Sequence, residues 1–486
     1  MSRIKELVSD TLVYGFTTVV SRLLTYLLVP FYTKFFGPGD YGIVTLVFIA
    51  IGFFNVLFSF GMESAYLRYG VDRERAASIF KTLQLTILAV ASALFLMLWL
   101  ASPLLQPLLA LPDAGNDPIY LLMIAILWMD ALSTVPFAEL RLVRRTIAYA
   151  SAKLINVALN VALNIVLVLH FDYGIIAVFI ANAAASAFTL LQTAWFTRKS
   201  YQGTLDEHSL REALLFGLPY IPAGIGYIIN EGISRFFLNM SSDDTIARLY
   251  GLEYTAADIT GIFGACYKLS VFMMLFTQMF RMAWQPFFMR HAKDASAPGT
   301  FADVFLYFNG IAAILFMTVA LFVNEIAAIP VPGLRGTIID ARYWLGLSTV
   351  PMLLMAYWFQ GWYTNFTAGI FISENTRALP KITLAGAAIT TVANLILIPM
   401  LGMEGAAWAS VLSYGSMAMM MYFLVQNKWP IPYRMWRAWA SMIVGAAAVF
   451  ASLQFPIFAS AMARAIILVL GSGLVALITL LPRRNQ

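Results

Sequence analysis

Apolar runs of about 20 residues recur from one end of this 486-residue chain to the other, with only short polar breaks between them. Each run is long enough to cross a hydrocarbon layer of roughly 30 Å as a helix rising about 1.5 Å per residue. Composition agrees, since 61% of the residues are hydrophobic and 12% charged, against roughly 45–50% apolar and about 25% charged in soluble domains. The chain therefore reads as an all-α polytopic membrane protein.

About fourteen transmembrane helices are expected, near residues 11–34, 41–66, 80–105, 118–140, 154–171, 174–197, 213–238, 258–287, 301–325, 343–370, 381–400, 405–425, 438–456 and 462–481. The stretch after MSRIKELVSD contains Arg22 and lacks an Ala-x-Ala-like cleavage site, which marks an uncleaved first span. Loops on the side of the N-terminus hold 22 of the 31 Lys and Arg residues, among them Arg141, Arg144, Arg145 and Lys153. The opposite loops hold Lys34, Arg248, Arg335 and Arg342. The positive-inside rule then places both termini in the cytoplasm of a multi-pass protein of the cell's inner membrane.

The net charge of +6 is spread over short loops and forms no aromatic-interleaved patch, so topology explains it and nucleic acid is excluded as a partner. Cys266 is the single cysteine, which excludes an internal disulfide and a multi-cysteine metal site. No loop carries a GxxxxGK[ST] phosphate-binding pattern, so the chain is not expected to hydrolyse ATP. With no large loop, no acidic metal motif, and only His170, His208 and His291 at span ends or in loops, the sequence offers no catalytic residues, no metal ligands and no cofactor site. Residues 164–180, NIVLVLHFDYGIIAVFI, are similar in pattern to residues 394–411, NLILIPMLGMEGAAWASV. The repeat argues for two six-helix lobes, 1–200 and 208–430, followed by two additional helices in 431–486.

An ionisable residue inside a span costs at least about 2.5 to 3.5 kcal/mol and needs a reason. Arg22 lies roughly 17 Å into span 1, near the midplane. Lys268 lies near mid-depth in span 8, with Arg281 closer to the cytoplasmic end of the same helix; on a straight helix the two would point some 140° apart. Glu231 and Arg235 are spaced for pairing on one face of span 7. Arg22 and Lys268 are candidate ligands for an anionic headgroup, because an ammonium or a forked guanidinium matches phosphate. Glu63, Asp130 and Glu231 are candidates for ion coupling or charge balance. Pro219 and Pro222, within FGLPYIPAG, mark a kink and a candidate hinge.

Several segments in order carry a family resemblance: LLVPFYTKFFGPGDYGIVTLV, FSFGMESAYLRYG, GISRFFLNM, GIFGACYKLSVFMMLFTQMFRMAWQPFF and TRALPKITLAGAAITTVANLILIPMLGMEGAAWASVLSYG. Over residues 8–430 the chain resembles the polysaccharide-biosynthesis flippases of the multidrug/oligosaccharidyl-lipid/polysaccharide exporter superfamily. The resemblance implies two six-helix lobes around a central cavity, with Arg22, Arg235, Lys268 and Arg281 at positions similar to the family's basic cavity residues and so as ligands of the anionic headgroup, and alternating-access movement of an undecaprenyl-pyrophosphate-linked oligosaccharide to the outer leaflet. Its implied partners are that lipid, membrane lipids, H+ or Na+, and a polysaccharide polymerase. The family often has Asp before the span 7 arginine, where this chain has Ser234. A cation-coupled multidrug exporter and a peptidoglycan-precursor flippase are the alternatives.

Overall fold

The polar breaks of the sequence become turns between helices. The computed structural model describes residues 26–72, 74–111, 117–455, 457 and 460–480. Twelve helices among these are long and apolar enough to cross a membrane. Helices suit hydrocarbon because every backbone N–H and C=O is satisfied within the segment.

Packing divides the chain into two units, one holding residues up to Met240 together with Tyr254–Gly261, the other Ser241–Glu253 and everything from Ile262. The first unit contains α1 (Leu28–Phe35), α2 (Pro38–Ser59), α3 (Met62–Tyr69), α4 (Ala76–Leu100), α5 (Pro118–Leu142), α6 (Thr146–Leu169), α7 (Ile176–Thr197), α8 (Glu207–Gly217) and α9 (Tyr220–Asn239). Helix α5 lies at its centre against α2, α3, α4 and α7. Asp117 starts α5 by accepting the Ile119 N–H at 2.7 Å, and Pro118 follows where no backbone donor is needed.

The segment joining α7 to α8 is tied down within this unit. Thr204 N–H donates to Ser78 Oγ at 3.2 Å, Asp206 N–H to Thr82 Oγ1 at 3.0 Å, and Arg75 pairs with Asp206 at 2.8 Å. Gly203 is required here, because a β-carbon would lie 2.3 Å from the Ser78 backbone nitrogen.

The second unit contains α10 (Asp243–Tyr250), α12 (Val271–His291), α13 (Ala297–Leu321), α14 (Val350–Ile372), α15 (Ala378–Leu401), α16 (Met403–Lys428), α17 (Met435–Gln454) and α18 (Ala461–Leu480), with a short hairpin, β1 (Pro330–Val331) and β2 (Gly336–Thr337). Helix α11 (Ala256–Tyr267) is shared: its residues to Gly261 pack in the first unit and those from Ile262 in the second. Helix α14 is rich in aromatic and amide side chains and is not among the twelve apolar helices, yet it occupies the centre of its unit against α12, α13 and α16. Buried Asn309 explains how two tryptophans enter that core, since its Oδ1 accepts the indole N–H of Trp358 at 2.9 Å and of Trp362 at 2.6 Å. Peripheral α18 has only 6% of its apolar window buried. It is held to α13 by Arg464, which pairs with Glu325 and donates to the Leu321 carbonyl at 2.8 Å.

Each expected span from 41–66 to 462–481 has a helix at its place, and α1 covers the described end of span 1. One boundary moves: α6 begins at Thr146, eight residues ahead of the expected 154, which brings Lys153 inside the helix. The repeat has a geometric counterpart. Fully buried Asn164 donates to the Asn160 carbonyl and fully buried Asn394 to the Thr390 carbonyl, each four residues back. The turn that follows each helix contains a glycine at φ +58°, Gly174 and Gly402.

Candidate functional site

Arg22 lies outside the described residues. In the first unit, Arg235 falls in the last turns of α9 and is 6% exposed. Its Nη1 donates to the Glu231 backbone carbonyl, one turn back, at 2.8 Å. Ser234 is buried beside it.

Glu63 opens α3 and accepts from Arg141 Nη2 at 2.7 Å. A second carboxylate, Glu139, lies in the same region and was not singled out by sequence. It is buried and accepts from Tyr66 Oη at 2.8 Å and Ser200 Oγ at 3.1 Å. These two acids tie the end of span 2 to the end of span 4.

Asp130 is half-buried at the middle of α5, hydrogen-bonded to Ser186 of α7 and within electrostatic reach of Lys153 on α6. The Lys153 ammonium sits 4.3 Å above the Phe137 ring. Lys153, expected in a loop, lies within α6. The signal that would have moved it is the pattern TIAYASAKLINVALN, which runs unbroken as helix after Arg144 and Arg145.

In the second unit Lys268 is half-buried and lies in a 3-10 turn, Lys268–Ser270, that interrupts span 8 between α11 and α12. The angle of about 140° between Lys268 and Arg281 presupposed a straight helix, and this break removes that premise. Arg281 is exposed on α12 and acts electrostatically on Tyr363 of α14. Next to the break, the Tyr267 and Tyr357 hydroxyls share a hydrogen bond of 2.6 Å, and Thr277 Oγ1 donates to the Tyr357 carbonyl at 3.3 Å.

Span 7 is interrupted between Gly217 and Tyr220, with Pro219 capping α9 and Pro222 in its first turn, where a missing backbone donor costs nothing. Span 2 is interrupted too, at Phe60 (φ +30°) and Gly61 (φ +75°). The two breaks touch: a β-carbon on Gly217 would meet Met62 Cε at 2.5 Å and the Phe60 carbonyl oxygen at 2.9 Å.

Residues 32–261 match the profile of a family described as "Polysaccharide biosynthesis protein". No curated protein matches the chain. Among solved structures it is similar to the lipid II flippase MurJ in an inward closed conformation, with a TM-score of 0.64 and 12% identity over 96% of this chain and 98% of that one. It is also similar to an inward-facing multidrug resistance MATE family transporter of the MOP superfamily, with a TM-score of 0.61 and 15% identity over 86% of this chain and 95% of that one. A third, a MOP superfamily transporter from Pyrococcus furiosus, gives a TM-score of 0.52 and 16% identity over 87% and 94% of the two chains. The chain shares the fold of these solved transporters along most of its length.

Proposed function

We propose that this chain, a transporter of the multidrug/oligosaccharidyl-lipid/polysaccharide exporter superfamily related to its polysaccharide-biosynthesis flippases, moves undecaprenyl-pyrophosphate-linked oligosaccharide from the cytoplasmic to the outer leaflet. The observation that carries the reading is the match of residues 32–261 to the polysaccharide-biosynthesis family. It acts as a carrier and not as an enzyme. Its lobes, 1–200 and 208–430, alternate access to a central cavity, with residues 431–486 as two added helices and both termini in the cytoplasm of the inner membrane. Arg22, Arg235, Lys268 and Arg281 receive the pyrophosphate, the sugars stay hydrated, and the polyprenyl tail remains in lipid.

A lipid that favours neither facing state does not shift their populations, so net movement draws on a coupled H+ or Na+ or on removal of the product by a polymerase. Likeness to a lipid II flippase supports a second reading with the same headgroup, a peptidoglycan precursor. The test is translocation in proteoliposomes without ATP, with lipid-linked oligosaccharide, lipid II and an organic cation as parallel substrates. Preference for the oligosaccharide lipid, lost in Arg22→Ala and in Lys268→Ala, is the expected result. Preference for lipid II selects the second reading, and movement of the organic cation alone overturns both.

A further inference from the structure

Where α7 stops and α6 starts, at the end of the first unit whose loops are basic, two arginines are anchored on the carbonyls of neighbouring residues. Arg198 Nη1 donates to the Trp195 carbonyl at 3.1 Å, and Arg145 Nη1, reaching over from the start of α6, donates to the Phe196 carbonyl at 3.0 Å. Carbonyls in the last turn of a helix carry the negative end of its dipole, so cations settle there. The Arg198 guanidinium also lies 4.1 Å above the Trp195 ring. A guanidinium has several N–H donors, and among the described residues each of these two arginines uses one of them and is paired with no carboxylate. Nearby acids are occupied otherwise, Glu63 by Arg141, Asp206 by Arg75, and Glu139 by Tyr66 and Ser200.

The surface leading up to these cations is apolar. Ala185, Thr189, Thr193 and Thr197 recur every four residues on the buried face of α7, where Thr189 accepts from Asn156 of α6 at 2.9 Å. Phe188, Leu191 and Trp195 fall on the opposite side at spacings of three and four, and are 42%, 70% and 64% exposed. Ten residues separate Phe188 from Arg198, roughly 15 Å at about 1.5 Å per residue, which is about half of a hydrocarbon layer of roughly 30 Å. The stripe thus passes from aliphatic and phenyl groups through an indole to guanidiniums over the depth of one leaflet, the order of tails, interface and headgroups.

We infer that this stripe seats one anionic phospholipid of the surrounding bilayer, its phosphate held by Arg145 and Arg198 and an acyl chain lying along Trp195, Leu191 and Phe188. Charge decides the class. A zwitterionic lipid brings a cation of its own to the two arginines, whereas a phosphatidylglycerol-type headgroup brings phosphate alone, which the planar guanidinium fork matches. The lipid would bridge the first turn of α6 and the last turn of α7. The site uses none of the residues proposed to receive the cargo, and it holds whatever the chain carries.

The experiment is native mass spectrometry of the full chain, delipidated in detergent and then supplied with dioleoyl phosphatidylglycerol or dioleoyl phosphatidylcholine. Wild type is expected to retain phosphatidylglycerol roughly thirtyfold better, the preference that two surface cations give. Arg145→Gln combined with Arg198→Gln loses most of that preference, and Arg145→Lys combined with Arg198→Lys keeps most of it, which separates loss of charge from loss of fold. Lys293→Gln combined with Arg377→Gln removes the same charge from exposed positions of the second unit and leaves the preference unchanged. Glycerol phosphate, a headgroup without chains, does not displace the lipid. Equal retention of the two lipids by wild type, an undiminished preference in the Arg145→Gln, Arg198→Gln variant, or an equal loss in the Lys293→Gln, Arg377→Gln variant overturns the inference. Displacement by glycerol phosphate overturns it too, since the site would then be one for free phosphate. Translocation is no part of the readout, so the carrier reading stands or falls separately.

Discussion

A β-carbon on Gly61 would lie 2.4 Å from the carbonyl oxygen of Gly217, so the interruption of span 2 is seated directly on the interruption of span 7. Gly61 also has φ +75°, which other residues adopt at a cost of about 1 kcal/mol. Strain and contact add at this position. Gly61→Ala is expected to lower stability by at least about 1–2 kcal/mol, read as a reduced melting temperature in detergent. Melting at the wild-type temperature would mean that the two interruptions yield easily.

The Glu63–Arg141 ion pair at 2.7 Å matches the charge-balancing alternative for Glu63, and a test can separate it from ion coupling. Both side chains are partly exposed, at 47% and 32%, so the pair contributes about 0.2–1 kcal/mol. Glu63→Gln is expected to leave ion-dependent transport intact. The exchanged pair, Glu63→Arg with Arg141→Glu, should recover most of the stability lost in either single variant. Loss of the ion response in Glu63→Gln would return this residue to the coupling machinery.

Asp206 supplies a pH dependence with a definite sign. Its hydrogen bond from Arg75, reinforced by Ser209, holds its carboxyl well below the usual carboxylate range. A carboxyl depressed in the folded state stabilises fully above its unfolded value, about 3.9, and the contribution is lost as pH falls through the folded value. The junction of α7 and α8 should therefore resist proteolysis equally from neutral pH down to about 4 and loosen only in stronger acid. Asp206→Asn should loosen it at neutral pH as well. A junction in the variant as resistant as in wild type would show that the Ser78 and Thr82 contacts suffice.

Asn309 is the acceptor for two buried indoles, and Asn309→Leu leaves both N–H groups without it. An unsatisfied buried donor costs about 1–3 kcal/mol. The variant should show both reduced stability and altered tryptophan emission, whereas Trp358→Phe, which removes one donor, should be milder. Equal stability of Asn309→Leu and wild type would point to water reaching the core.

What the sequence made legible was governed by long-range averages. Twenty-residue hydrophobicity gave the spans, and loop charge gave an alternation that a miscount would have destroyed. Single-residue placement was harder. Hydropathy drops at Lys153 whereas helix hydrogen bonding does not, so the apolar run understates α6 at its start. The 3-10 turn at Lys268–Ser270 contains neither Gly nor Pro, so no residue announces the irregularity in span 8. The pairing of Arg464 with Glu325 was invisible for a different reason, because only tertiary packing of α18 on α13 brings them together.

That last pairing bears on how the protein is made. The partners are 139 residues apart, which at about 5–20 residues per second separates their synthesis by on the order of ten seconds. During that interval the ninth span has been produced and Glu325 awaits the counter-charge that Arg464 of α18 brings. A ribosome product ending before Ala461 would contain every earlier span and still carry that unneutralised acid. The pair therefore closes only once α18 has been made, a helix that buries little of its own apolar surface.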